Sequence, residues 1–154
     1  MAVTKTVLRL TETEAVVKVA GTAAAETIDL QTDLLSSTQV LDGATQTVTI
    51  VGMQWTGAPG GIATVTRNGT TIMTLQADSA DQMMMNGQDM VPDSINATHD
   101  IVVTISGAQT ECWLRLKKVS GYKSKVEDSF YGSYDDPTRV GASTTKPGSP
   151  DYTP

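Results

Sequence analysis

The chain has 154 residues, a formal net charge of −6, and 39% hydrophobic against 18% charged residues. That length suits one domain with a real core. The acidic balance argues against nucleic-acid binding, which needs a basic face, and no apolar run approaches the roughly 18–20 residues of a membrane span.

The opening MAVTKTVLRLTETEAVV lacks the basic-then-apolar order and cleavage site of a signal peptide, so synthesis in a cytoplasm is expected. Lys5–Leu10 (KTVLRL) and Ala15–Val19 (AVVKV) read as two strands separated by the polar Thr11-Glu12-Thr13-Glu14, and Gly21 ends the second. Ala23-Ala24-Ala25-Glu26 can nucleate a short helical turn, whereas Thr27-Ile28-Asp29-Leu30 is more strand-like. Asp33–Leu41 (DLLSSTQVL) stays open between a buried strand pair and one helical turn.

Asp42-Gly43 turns the chain into Thr47–Leu75, the stretch around which the rest is organised. Val48, Ile50, Val51, Met53 and Trp55 come without a helical stripe, and β-branched residues favour a pleated, half-buried sheet. Thr56-Gly57-Ala58-Pro59-Gly60-Gly61 ends that strand, because proline supplies no ladder donor and glycine accepts positive φ. Ile62–Arg67 and Thr70–Leu75 flank Asn68-Gly69, the strongest short-range hairpin signal, since a type I′ turn needs both central residues at positive φ. Ile62, Thr64 and Thr66 alternate with Ala63, Val65 and Arg67, so at most one face is buried and the sheet is antiparallel. The whole stretch reads as a β-meander.

Asp81–Met90 (DQMMMNGQDM) holds four of the seven methionines. It reads as a short strand of adaptable apolar side chains turning at Asn86-Gly87; a soft-metal site would also recruit His or Cys, so copper is not expected. Val91-Pro92-Asp93-Ser94 is a loop, and Ile101–Ser106 (IVVTIS) is the most secure core strand. After Gly107-Ala108-Gln109, Cys112–Val119 (CWLRLKKV) places Trp113, Arg115 and Lys117 on one face and Cys112, Leu114 and Leu116 on the other. One face of that strand is therefore basic, and Lys117-Lys118 reads as an edge-strand pair that blocks aggregation, in preference to a phosphate contact.

About eight short strands separated by turns fit an all-β, antiparallel β-sandwich or jelly roll over residues 1–122. Residues 123–154 differ, with few aliphatics and much Gly, Pro, Ser, Thr and Asp, too little apolar surface to fold alone. Yet Phe130, Tyr131, Tyr134 and Tyr152, with Tyr122 just before, make five of the seven aromatics. Aromatics anchor interfaces, so an extended C-terminal arm lying on a neighbouring subunit is expected, with those five residues as its partner-binding set.

No catalytic, cofactor or metal site is expected. The lone Cys112 excludes an internal disulfide and a multi-thiolate site. His99 lies in Asn96-Ala97-Thr98-His99-Asp100 without a nucleophile motif nearby. Glu12 and Glu14 are spaced to share a strand face, but they sit among threonines where solvated charge is their expected role. Asp89, Asp93 and Asp135-Asp136 lack the oxygen spacing of a calcium loop. Asn68-Gly69-Thr70 and Asn96-Ala97-Thr98 fit a glycosylation sequon, which has meaning only on secretion.

TKTVLRLTETEAVVKVAGTA, IVGMQWTGAPGGIATVTRN, ISGAQTECWLRLKKVSGY and FYGSYDDPTRVGAS together resemble the small virion structural proteins of tailed phages, especially those infecting marine cyanobacteria. The resemblance runs over most of the chain without a defined activity motif. It implies a non-enzymatic virion component made in the host cytoplasm, assembled as a homo-oligomer in many copies without a cofactor. Its partners would be the major capsid protein or other virion subunits, with no nucleic acid and no membrane. A capsid-decorating or cementing role leads. A neck, tail or fibre-attachment protein is the alternative within the virion. A carbohydrate-binding module is the alternative outside it, and requires an exposed Trp55 beside the Gly-rich loop.

Overall fold

The computed structural model describes residues 2–84 and 95–125. They form β1 (Thr4–Leu10), β2 (Glu14–Gly21), β3 (Ala24–Ile28), β4 (Gln39–Leu41), β5 (Thr47–Gly57), β6 (Ile62–Arg67), β7 (Thr70–Gln76), β8 (Asp81–Met84), β9 (Ile101–Ser106), β10 (Thr110–Ser120) and β11 (Tyr122–Ser124). One sheet has the order β1-β2-β10-β5-β8, the other β3-β9-β6-β7, and β4 pairs with β11 in a small sheet of its own.

Four of the antiparallel pairings nest along the chain: β6 with β7, β5 with β8, β3 with β9 and β2 with β10. They are successive stretches of one long hairpin ribbon, assigned alternately to the two sheets. Rolling a ribbon this way makes a jelly roll, here with β1 added beside β2. The ribbon's tip is Asn68-Gly69, whose φ angles of 50° and 72° are those the type I′ turn demands. The expected antiparallel sandwich of jelly-roll type is therefore what the chain forms.

Long-range pairing corrects several local expectations. Thr47–Leu75 is not a meander: β5 lies in one sheet and β6 and β7 in the other, so the Gly/Pro turn carries the chain across the sandwich. That turn is held by the β9–β10 turn, through Ala58 N–H to the Gln109 carbonyl at 2.8 Å. A Cβ on Gly107 (φ 76°) would collide with the Gly60 carbonyl, so the two turns meet backbone to backbone. Ala24 to Glu26 do not turn helically but pair with β9, because a full ladder outweighs the small intrinsic preference of alanine. Within 33–41, Asp33 N–H closes a single turn onto the Asp29 carbonyl at 3.0 Å, and only Gln39–Leu41 is strand.

Between the sheets pack Val17, Val19, Met53, Trp55, Cys112, Leu114 and Leu116 from one side and Ile28, Ala63, Val65, Leu75, Ile101, Val103 and Ile105 from the other. The alternation along β10 falls as the sequence implies, with Cys112, Leu114 and Leu116 buried and Trp113 and Arg115 only partly so. The edge-strand expectation for Lys117-Lys118 is overturned, because β10 sits between β2 and β5. Parity then separates the pair: Lys117 is exposed and Lys118 buried. Strand pairing runs past residue 122, with Lys123 and Ser124 opposite Val40 and Gln39 and Lys125 N–H on the Thr38 carbonyl at 2.9 Å. The first residues of the expected arm thus belong to the folded part.

Candidate functional site

Of the five aromatics expected to meet a partner, Phe130, Tyr131, Tyr134 and Tyr152 lie outside the described residues. Tyr122 is half-buried and directed inward. Its hydroxyl donates to the Leu30 carbonyl, and the Lys118 ammonium stands 4.7 Å from its ring centroid. Burial, and then the nearby Asp100 and Asp29, push its phenol well above the ordinary range, so it stays protonated and able to donate. It ties β11 to the loop after β3. Lys118 makes a second tie there, donating to the Leu34 carbonyl at 2.7 Å and to Gln39 Oε1, and burial pushes its ammonium down to about 8.

Trp55 is 9% exposed and donates Nε1–H to the Gln76 carbonyl at 3.1 Å. A tryptophan spent in the core cannot stack on a sugar ring, which removes the main support of the carbohydrate reading. Glu12 and Glu14 diverge: Glu12 accepts the Thr38 hydroxyl at 2.8 Å, while Glu14 is held by Arg9 and Arg115. Cys112 is buried in the core, and burial raises its thiol to about 12. Asp89, Asp93 and Asp135-Asp136 lie outside the described residues, and no cluster of three or more His, Cys, Asp or Glu able to hold a metal ion occurs among the described ones.

His99 is exposed at the rim of a polar cleft of about 330 Å³ that Asp29, Gln31, Gln46 and Asp100 also line. Its polar groups are largely committed to backbone. Asp29 Oδ1 accepts from the Gln31 and Thr32 amides at 2.8 and 3.1 Å, and Asp100 Oδ1 from the Leu30 amide at 3.0 Å. Gln31 reaches Gln46 Oε1 at 2.8 Å. These bonds hold three loops in place. Arg67 does the same from below: it is 3% exposed and donates to the carbonyls of Val48, Ala97 and His99 at 2.7–3.0 Å.

The arrangement best suited to a partner is the outer face of the five-stranded sheet. The register puts Val16, Arg115 and Gly52 in one row, Lys18, Trp113 and Gln54 in the next, and Arg9 beside Val16. Cross-strand partners share a face, so these side chains stand together. Gly52 adds none, and a bulge beside it leaves Val51 opposite no residue of β10. The result is a depression of about 190 Å³ with Gly52 and Val16 in its lining and Trp113, Gln54, Arg9 and Arg115 around them.

Charge on this face is only partly balanced. Glu14 is shared by two guanidiniums, Arg9 at 3.0 Å and Arg115 at 3.0 Å, whose side chains remain 60% and 42% exposed. Lys18 pairs with Glu111 at 3.6 Å and lies 5.5 Å from the Trp113 ring centroid, and Lys117 is exposed. The face thus joins an aromatic ring to guanidinium donors that a carboxylate or carbonyl can still reach.

The sequence located the Trp113–Arg115–Lys117 half of this face by strand alternation. It missed Arg9, Val16, Lys18, Gly52 and Gln54, because only the register of β1, β2 and β5 against β10 assembles them. The pairing itself left no short-range signal; Gly52, an isolated glycine inside a strand run, was the one local hint of a bulge.

No family model matches the chain, and no curated protein matches it. Among solved structures it is similar to an uncharacterized conserved protein with a double-stranded β-helix domain from Klebsiella pneumoniae, at 13% identity over 79% of this chain and 83% of that one, with a TM-score of 0.35. It is also similar to a cupin superfamily protein from Desulfitobacterium hafniense, at 11% identity over 77% and 79% of the two chains and a TM-score of 0.31. Likeness at that level carries no activity over to this chain.

Proposed function

We propose that the protein is a non-enzymatic structural component of a virion, a jelly-roll module that decorates or cements the capsid and engages neighbouring subunits through its C-terminal arm. The observation that carries the reading is the division of labour between the two sides of the five-stranded sheet. Its inner side is closed against the second sheet by apolar side chains, while its outer side offers an aromatic and cationic depression at 190 Å³. A ligand-binding roll keeps space between its sheets; one that binds by its outside is suited to assembly. The sequence resemblance to small virion proteins of tailed phages supports the same reading, in which the partners would be the major capsid protein or other virion subunits.

The test is a cryo-electron microscopy map of the particle together with its protein inventory. Density for this chain on the capsid lattice is the expected result. Density confined to neck, tail or fibres would move the role to attachment or genome delivery, and absence of the chain from purified particles would overturn the reading.

A further inference from the structure

The described residues end at Lys125, one residue past β11. Lys125 N–H bonds the Thr38 carbonyl at 2.9 Å, and the Thr38 hydroxyl bonds Glu12 at 2.8 Å. Glu12 is two residues from Glu14, the carboxylate that Arg9 and Arg115 share. Two residues on from Glu14 along β2, Val16 stands in the row that crosses Arg115 to Gly52, two strand spacings or about 10 Å away. Just past Lys125 the sequence reads Val126, then EDSFYGSYDD over 127–136. That decapeptide holds Glu127, Asp128, Asp135 and Asp136 with no base, and Phe130, Tyr131 and Tyr134 between the acid pairs.

The two chemistries are complementary. The sheet face carries Arg9, Lys18, Arg115 and Lys117 against Glu14 and Glu111, an excess of cations on a chain whose net charge is −6. Trp113 and the side-chain-free position at Gly52 give a flat apolar centre between those cations, matching aromatics between acids. Fully extended chain carries Phe130 and Tyr134 at most about 17 and about 31 Å from Lys125.

We propose that in the free protein the segment 127–136 docks on the outer face of its own five-stranded sheet. Its carboxylates meet Arg9, Arg115, Lys18 and Lys117, and its aromatics cover Gly52 and Trp113. This goes beyond the assembly reading, because it concerns the chain before it meets a neighbour. The two are linked by exchange: a contact that one chain makes with itself can be made again with the arm of the next copy, the low-cost route by which identical elements swap. Docking in the free chain would then hold the arm and the face out of unwanted contacts until assembly.

The experiment uses the full chain with p-benzoylphenylalanine in place of Tyr131, as an equal mixture of ¹⁴N- and ¹⁵N-labelled protein at low micromolar concentration. After irradiation, mass spectrometry reads where the cross-link falls and whether its two ends carry the same isotope. Same-isotope links to residues 9–18, 52–54 or 113–117 are expected. Mixed-isotope links, links to another surface, or no link would overturn the proposal. Arg9→Glu with Arg115→Glu should lower the yield at least fivefold. Because those changes touch the fold, Asp135→Lys with Asp136→Lys, which leaves the sheet unaltered, should lower it by a similar factor, and combining the two sets should restore it. An unchanged yield in the Asp135/Asp136 variant would also overturn the proposal. Docking is read on purified protein and virion membership on particles, so either can fail while the other stands.

Discussion

Arg67→Met is the sharpest test of how the loops at one end of the roll are held. The arginine is 3% exposed at the end of β6, with Nη1 on the Val48 carbonyl at 2.7 Å, Nη2 on Ala97 and His99 at 2.8 and 2.7 Å, and Nε on His99 at 3.0 Å. Methionine keeps the unbranched apolar stem and loses every donor. The Ala97 carbonyl keeps the Val48 amide at 3.0 Å, so the main losses fall on Val48 and His99. Two buried acceptors stripped of a charged donor cost about 1–3 kcal/mol each. Part of that is offset because a guanidinium no longer has to be taken out of water, which leaves about 3 kcal/mol of net destabilisation. With a urea slope of about 1.5 kcal/mol/M, the unfolding midpoint should fall by about 2 M. Arg115→Met is the control, since its exposed ion pair with Glu14 is worth less than about 1 kcal/mol. If Arg67→Met loses no more than that control, the guanidinium does not hold the loops and the reasoning fails.

Gly69→Val places a β-branched residue at φ 72° on the ribbon's tip, and thermal unfolding should register a loss of about 1–3 kcal/mol; an unchanged melting temperature would sink the type I′ assignment. Stability should rise with pH from about 8 to about 9, because burial holds Lys118 at about 8 against 10.5 in the open chain, so the unfolded state binds more protons in that window. Above it stability should fall, since buried Cys112 (raised to about 12 from 9.0) and Tyr122 keep protons that the unfolded chain releases. Urea midpoints from pH 7 to 11 test both limbs, and Lys118→Met should abolish the rising one. Ending the chain after Lys125 should leave the melting of the sandwich cooperative and weaken incorporation into particles; loss of folding would make the arm part of the core.

What the sequence revealed is what is local. Asn68-Gly69 dictates its turn through backbone sterics alone, and the period of two along β10 sorts Trp113 and Arg115 from Leu114 and Leu116 without reference to any other strand. What it concealed is set by partners far along the chain. Ala24 to Glu26 become strand because β9, some eighty residues on, supplies a ladder. Lys117 and Lys118 could be read as an edge pair only while β10's neighbours were unknown. Arg67 is the clearest case: parity placed it with Ala63 and Val65, but nothing local said that their face was the buried one, or that three carbonyls waited there to receive a guanidinium.

The same logic explains why the candidate surface was half legible. A single amphipathic strand announces a face, yet a surface broad enough for a partner needs several strands in register, and register is a property of the whole ribbon. Once the tip turn is fixed, the nested pairings bring β2, β5 and β10 side by side, and one slip of a residue would send Gly52 inward and Met53 outward. The depression on the outer sheet and the packing within are therefore two consequences of one register. A substitution that disturbs the core of β5, such as Met53→Asp, should disturb the outer face as well, and loss of folding together with loss of the Tyr131 cross-link is the expected joint result. A variant that unfolded the core yet kept the cross-link at its original positions would break that connection.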